Sequence, residues 1–159
     1  MAEAYMVGTT AEGPLSWDHA EERLEGSRNY WIVTTRRDGR PHAAPVWGVW
    51  VEGSLYFGTS RGSVKGRNLA RRPDLVVHLE SGDDVVILEG AVEEVRDRAS
   101  FDAIDAAYRA KYGMGVDGAA DDGAGDGGAV WYVVRPETAH AWLENDFLDT
   151  ATRWRFRVG

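Results

Sequence analysis

A short run of polar side chains between Thr59 and Asn68 has the chemistry needed to hold an anion. It supplies hydroxyl, amide and positively charged groups, from Thr59, Ser60, Arg61, Ser63, Lys65 and Asn68. If a strand ends and a helix begins here, the free N–H groups and the positive dipole of the helix end point outward beside these side chains, which is how proteins bind phosphate. A solvated basic helix with capping hydroxyls explains the same residues. Composition alone does not separate the two interpretations.

Positive charge is concentrated around this run in an otherwise acidic chain. Residues 60–72 contain five basic residues and no acidic one, whereas the whole chain of 159 residues has 18 Lys and Arg against 26 Asp and Glu, a net charge of −8. The acidic balance argues against nucleic acid or an anionic membrane surface as a partner. The local basic segment instead predicts a small anionic ligand.

Other catalytic patterns are weaker. Residues 58–62 match GxSxG, the pattern of a serine hydrolase elbow, but that elbow needs a parallel sheet of βαβ units, and the flanking strands are predicted to be antiparallel. The four histidines lack the spacing of a metal site, and neither a GxGxxG nor a Walker lysine motif is present. We therefore predict no catalytic side chain and no bound metal.

The cysteine content and the hydropathy of the chain predict its cellular compartment. The chain has no cysteine, which excludes disulfides and fits a reducing compartment. It also has no apolar run close to the roughly 18 residues that a membrane-spanning helix requires. We expect a cytoplasmic protein without a membrane partner.

Runs of β-forming residues with turn signals between them surround the polar run. The Asp38-Gly39 pair predicts a hairpin between strands at 30–36 and 42–51. A second turn at residues 52–53 leads into a strand at 54–58, so these three strands are predicted to form an antiparallel meander. Further strands are expected at residues 75–80, 85–95, 130–142 and 150–158.

Three helices are predicted between these strands. The first follows an N-cap at Ser16 and ends near Gly26, the second covers Lys65–Arg72, and the third runs from a cap at Asp97 to a glycine stop at Gly113. About seven strands with two or three flanking helices, and no βαβ alternation, predict an α+β fold with a mainly antiparallel barrel or sandwich.

The chain length predicts a single domain over residues 1–159. Within it, residues 113–128 hold seven glycines and four aspartates, a composition that predicts a flexible surface loop. Trp47 and Trp50 are an odd number of positions apart on one predicted strand, so they are expected on opposite faces, one of them pointing away from the barrel interior.

Three segments resemble a known superfamily: residues 38–47 (DGRPHAAPVW), 55–60 (LYFGTS) and 65–73 (KGRNLARRP). Together they resemble the pyridoxamine 5′-phosphate oxidase-like split β-barrel superfamily, and more narrowly its actinobacterial branch of F420- or FMN-dependent oxidoreductases. The resemblance extends over residues 16–157 and includes YRAKYG at 108–113 and TRWRF at 152–156. It implies an FMN-binding type of split barrel with Greek-key topology and six or seven strands.

The resemblance also implies a phosphate site within the polar run. Lys65, together with Thr59, Ser60 and Asn68, would hold the cofactor phosphate. Relatives often carry a basic residue where this chain has Ser63.

Arg61 would take the place of that missing basic residue. At the other end of the cofactor, Pro45, Val46 and Trp47 would offer backbone groups to the polar edge of the tricyclic ring. The resemblance further implies a homodimer with two cofactors in grooves between the subunits, and we expect Trp154 to line the partner's groove.

The expected chemistry resides in the cofactor, because the reduced ring carries the hydride and the protein positions the acceptor. F420 is favoured over FMN, since the basic run would follow the anionic glutamyl tail of F420. The resemblance thus implies an F420H2-dependent reductase that acts on a small unsaturated or aromatic organic acceptor. The alternatives are an FMN-dependent enzyme of the pyridoxamine phosphate oxidase type and a non-enzymatic cofactor- or haem-binding module.

Overall fold

The computed structural model describes residues 10–116 and 128–157, which form nine strands and four α-helices. The strands are β1 (Thr10–Glu12), β2 (Tyr30–Thr35), β3 (Pro41–Val46), β4 (Val49–Val51), β5 (Ser54–Ser60), β6 (Asp74–His78), β7 (Asp84–Glu94), β8 (Ala129–Leu143) and β9 (Thr152–Arg155). The helices are α1 (Trp17–Gly26), α2 (Val64–Arg71), α3 (Arg98–Tyr112) and the single turn α4 (Phe147–Thr150). The predicted helices correspond to α1, α2 and α3, whereas β1 and α4 have no predicted counterpart.

Every strand pairing among the described residues is antiparallel. The strands follow the order β1-β9-β8-β7-β6-β2-β3, with β5 pairing with both β8 and β4. One side of β8 pairs with β7, and the other side is shared: Val130 pairs with Thr59 of β5, and Ala139 pairs with Trp154 of β9. Because β5 and β9 pair with different parts of the same side of β8, the barrel is split at this strand. The predicted α+β, mainly antiparallel split barrel is confirmed.

The predicted three-stranded meander is wrong, because residues 42–51 do not form one strand. β3 ends at Val46, β4 begins at Val49, β3 pairs with β2, and β4 pairs with β5. The break occurs at Gly48, whose N–H donates to Tyr112 Oη at 3.0 Å and whose carbonyl accepts from Lys111 Nζ at 2.9 Å. The N–H and carbonyl of Gly48 therefore form hydrogen bonds with side chains of α3 and not with a neighbouring strand.

Two apolar clusters lie on opposite faces of the sheet. The larger fills the barrel and includes Trp17, Leu24, Ile32, Trp50, Phe57, Leu88 and Trp154. The smaller lies beneath α3, where Ile104 and Tyr108 pack with Trp131, and Trp47 packs against it. Trp47 and Trp50 thus lie on opposite faces, as predicted, although Trp47 lies between β3 and β4 and does not share a strand with Trp50.

The expectation that Trp154 lines a partner's groove is wrong. Its side chain is 1% exposed and packs edge-on against Trp17, with ring centroids 5.3 Å apart. In β9 the alternation of a strand sends Thr152 and Trp154 inward. Trp154 is a core residue of its own chain.

The helix ends agree with the predicted capping residues. Ser16 accepts a hydrogen bond from His19 N–H, Asp97 accepts one from Ser100 N–H at 2.8 Å, and Gly113 closes α3 with φ of 77°. Residues 117–127, most of the predicted flexible loop, lie outside the described residues, so that prediction stands untested, as does the single-domain prediction. Within residues 10–116 and 128–157, no helix is long and apolar enough to cross a bilayer.

Candidate functional site

The predicted phosphate run lies where β5 ends and α2 begins. Ser63 is the N-cap of α2: its Oγ accepts from Gly66 N–H at 3.0 Å and donates to the Ser60 carbonyl at 2.7 Å. Thr59 is fully buried, and its Oγ1 lies 2.9 Å from Ser63 Oγ. The hydroxyls of Thr59 and Ser63 therefore have protein partners and shape the turn that exposes the start of α2.

Asn68 ties α2 to the sheet. Its side chain is 5% exposed, and Nδ2 donates to Thr34 Oγ1 at 3.0 Å. Because both groups are buried, this hydrogen bond fixes the distance between α2 and β2. The amide that the resemblance assigned to the cofactor phosphate thus has a clear structural partner.

Ser60 occupies the nucleophile position of the GxSxG pattern, but its surroundings differ from a hydrolase elbow. Its Oγ accepts from Gly62 N–H at 3.3 Å, and an added Cβ at Gly66 would collide with its carbonyl. β5 has only antiparallel neighbours in the described chain, and His78 directs Nδ1 to the Leu79 carbonyl at 2.9 Å. This arrangement gives no support to a serine nucleophile.

Arg61 extends away from the turn toward β7. Its guanidinium forms an ion pair with the carboxylate of Glu94, which also accepts from Arg96 at 2.9 Å. The hydrogen bond from Arg61 lowers the pKa of the Glu94 carboxyl. Arg61 is thus held by Glu94, and its predicted role in place of a basic residue at Ser63 stays a prediction.

The positive charge of Lys65 acts on His42, a residue that the sequence analysis did not assign to the site. Burial lowers the pKa of the His42 imidazole, and the positive charges of Arg36 and Lys65 lower it further. Nδ1 of His42 is buried and has no hydrogen-bond partner among the described residues. A ligand group that formed a hydrogen bond with this buried nitrogen would therefore bind more tightly, because it would satisfy a polar atom that has no partner in the protein.

Several arginines line a groove between the β2–β3 turn and α2. Its volume is about 660 Å³, and it is lined by Arg36, Arg37, Asp38, Val64, Arg67, Asn68 and Arg71. We call this the basic groove. Four arginines and one aspartate thus line the groove, and the Arg71 guanidinium donates to the Thr35 carbonyl at 2.7 Å. Such a lining fits an extended anion with several negative groups.

The predicted ring-binding segment lies at the end of β3. Pro45 is exposed, Val46 packs against the main core, and the indole of Trp47 stacks on Tyr112 with centroids 4.4 Å apart and planes 1° apart. The three side chains point in different directions, so only their backbone can offer a common surface. Among the described strands β3 pairs with β2 alone, and the outer edge of such a strand presents backbone groups without a strand partner.

The fold therefore joins the two halves of the predicted site through β3. His42 lies near the start of the strand, within reach of the charge of Lys65, and Trp47 follows its last residue. At ~3.3 Å per residue the five steps between His42 and Trp47 span about 17 Å. The sequence signal for the groove was the Arg36-Arg37 pair next to the Asp38-Gly39 turn.

In the described ranges, no three His, Asp or Glu side chains come together in an arrangement that would hold a metal ion. The candidate site is thus an anion-binding groove joined to an open strand edge.

Comparisons with known proteins agree with this architecture. The profile of the pyridoxamine 5′-phosphate oxidase family matches residues 16–143. No curated protein sequence matches the chain. Among solved structures, an F420 reductase is 23% identical with a TM-score of 0.58, and the match covers 75% of this chain and 94% of the reductase.

Two further solved structures have different ligands in their names. A FAD-binding protein from Mesorhizobium loti is 17% identical with a TM-score of 0.62, over 92% of this chain and 98% of that one. A heme binding protein from Mycobacterium smegmatis is 20% identical with a TM-score of 0.64, over 82% of this chain and 55% of that one. At these identities the structures establish a shared fold.

Proposed function

Because the chain belongs to the pyridoxamine 5′-phosphate oxidase family, we propose that it is a reductase that binds the deazaflavin F420 and reduces a small unsaturated or aromatic organic acceptor. Oxidoreductase chemistry is typical of this family. When bound, reduced F420 supplies the hydride. The residues fit such a cofactor, because cationic groups lie near the N-terminal end of β3, and the unpaired edge of this strand leads to the ring-binding segment at its C-terminal end.

The basic groove carries the proposal. FMN ends in a single phosphate, which one lysine and a helix start can hold. F420 continues beyond its phosphate into a glutamyl tail with several carboxylates, and four arginines around one groove match that pattern of charge. This is why we favour F420 over FMN.

The residues of the site have two roles in this proposal, contact with the cofactor and support of α2. We assign contact with the phosphate to Lys65 and His42, and contact with the tail to Arg67 and Arg71, which line the basic groove. We assign Thr59, Ser63 and Asn68 to holding α2 in place, since their hydroxyl and amide groups already have protein partners. No side chain is assigned a proton transfer, and the reaction depends on orientation of the ring and the acceptor.

Titration with oxidised F420 and with FMN, followed by quenching of tryptophan fluorescence, tests the cofactor. We expect F420 to bind with Kd in the micromolar range or below and FMN to bind more weakly. The variant Arg67→Ala should weaken F420 more than FMN, and Arg98→Ala, which removes an exposed arginine from α3, is the matched control. Tighter binding of FMN would favour the flavin alternative. Binding of neither below about 100 µM, near −5.5 kcal/mol, would favour a haem-type binding module.

Reoxidation of reduced F420 in the presence of quinones, unsaturated lactones and tetrapyrroles tests the reductase activity. These classes all fit a site whose ring-binding part is an open strand edge next to aromatic residues. Turnover with one class would identify the acceptor chemistry. Absence of turnover with all three, with F420 binding intact, would favour a cofactor carrier.

We also propose that the protein is a homodimer. On the face of the sheet opposite the main core, one row across neighbouring strands runs through Pro45, Trp31, His78, Ile87 and His140 and continues to Arg153 of β9. Trp31 stacks on His78 with centroids 5.9 Å apart, and both are half-buried. The part of this row that begins at the ring-binding segment is aromatic and apolar with one histidine, a composition found in the centre of subunit interfaces. A second copy on this face would place each site at the interface.

A further inference from the structure

The last turn of α3 carries two residues that the proposed function does not use, Lys111 and Tyr112. They belong to the YRAKYG segment, and Lys111 is one of only two lysines in the chain. The Lys111 ammonium is half-buried and donates to Tyr30 Oη at 2.8 Å and to the Gly48 carbonyl at 2.9 Å. It also lies over the rings of Tyr30 and Tyr112, at 4.7 and 5.2 Å from their centroids. A charged group with this many directed contacts is confined to one position.

Tyr112 contacts the same backbone position from the other side. Its Oη accepts from Gly48 N–H at 3.0 Å and lies 2.9 Å from the Gly48 carbonyl oxygen and 2.7 Å from that of Arg28, to either of which it can donate. Its ring stacks face to face on the indole of Trp47. Both backbone polar groups of Gly48 and the side chain before it are therefore held by α3.

This contact lies just beyond the end of the open edge of β3. On the side toward the sheet there is no room for a side chain at Gly48, since an added Cβ would lie 3.0 Å from the Tyr56 carbonyl and 3.1 Å from Tyr30. From the other side the ammonium and the phenol hold it. The Pro45–Trp47 backbone is thus fixed at its C-terminal end by a helix more than 60 residues away in the sequence.

We propose that Lys111 and Tyr112 are positioning residues for the cofactor ring, acting through Trp47 and Gly48. The proposal rests on the proposed function, because it takes residues 45–47 as the ring-binding segment. Without the ammonium, the Gly48 carbonyl loses a charge-assisted hydrogen bond and the end of β3 gains freedom, and small displacements at a binding segment are costly.

Lys111→Met tests the role of the ammonium, because methionine keeps a long apolar stem and removes the charge and the donors. We expect F420 affinity to fall about tenfold. Arg109→Met, in the same turn of α3 but exposed and paired with Asp105 at 2.8 Å, is the matched control and should bind F420 as the wild type does. Wild-type affinity in Lys111→Met would overturn the proposal.

A double-mutant cycle with Trp47→Leu separates positioning from general stability. If Lys111 acts through the Trp47–Gly48 segment, each single variant weakens F420 about tenfold and the double variant weakens it far less than a hundredfold. Strictly multiplicative losses would overturn the proposal, because they would mean that Lys111 and Trp47 act independently.

Hydrogen exchange gives a readout that needs no cofactor. In Lys111→Met and in Tyr112→Phe, which keeps the ring but lacks the hydroxyl, the Gly48 amide should exchange faster while the amides of β2 stay protected. Unchanged exchange at Gly48 in both variants would overturn the proposed contact itself. A wild-type protein that bound neither F420 nor FMN would instead overturn the proposed function, whatever the exchange data showed.

Discussion

Lys65 is the residue on which the anion site depends most directly. It lies close enough to His42 for its charge to lower the pKa of that imidazole, and α2 begins one residue earlier. Lys65→Ala should weaken F420 by about 1.5–3 kcal/mol, the cost of a lost hydrogen bond to a charged group, or roughly 10- to 150-fold. Fluorescence titration measures the affinity, and the melting temperature should stay near that of the wild type. A Lys65→Ala protein with wild-type affinity would show that residues 60–72 are a solvated basic face.

His42 should make the stability of the unliganded protein depend on pH. Its folded-state pKa lies below the ordinary value, through burial and through Arg36 and Lys65. As the pH falls through about 6.5, the unfolded chain binds a proton at this histidine before the folded chain does. The free energy of unfolding should therefore fall more steeply toward acid in the wild type than in His42→Gln. Urea denaturation at pH 7.5 and 5.5 measures the difference, and equal losses in the two proteins would contradict the prediction.

The sequence located the polar run but could not show which of its side chains face inward. A hydroxyl at a helix start can cap the helix or bind a ligand, and the sequence is the same in either case. Ser63 caps α2 and Asn68 binds Thr34. The groove arginines Arg36 and Arg37 come from a turn some 30 positions before α2, so only the pairing of β2 with its neighbours brings them to the site.

Gly48 is the position at which one predicted strand becomes two. Gly48→Ala should lower the free energy of unfolding by about 1–3 kcal/mol, because the new Cβ would lie 3.0 Å from a backbone carbonyl that cannot easily move. Gly82→Ala is the matched control, since nothing lies within 4 Å of a Cβ added there. Urea denaturation compares the two variants. Equal stability would mean that the segment around Gly48 can shift to make room.

Local sequence patterns predicted an element well where its structure depends on residues that are close in the sequence. The Asp38-Gly39 hairpin, the caps at Ser16 and Asp97 and the glycine end of α3 depend on residues that are neighbours in sequence. The break at Gly48 depends on hydrogen-bond partners from α3, more than 60 positions away in the sequence. Local sequence patterns around Gly48 therefore cannot predict it. The same reason applies to β1, whose three exposed residues become a strand only by pairing with β9.

At the scale of the whole molecule, charge and apolar surface lie on different parts of the fold. The chain carries a net charge of −8, yet four arginines surround one groove beside α2. A cationic groove on an acidic protein attracts a small anion while the remaining surface repels large polyanions. The row through Trp31, His78 and Ile87 lies on the sheet instead.

The row through Trp31, His78 and Ile87 leads to the prediction about assembly. A dimer formed through it should bury about 2,000 Å² or more in total and should remain associated at micromolar concentration. Ile87→Glu places a carboxylate in the centre of the row, where a partner would remove it from water, and should yield monomers. Ala103→Glu, on the exposed side of α3, adds the same charge elsewhere and should leave the dimer intact. Light scattering after size exclusion at 1 µM measures the mass of each protein. A wild-type protein that is monomeric and still binds F420 would show that one subunit builds the whole site, because no partner would then be needed to complete the pocket.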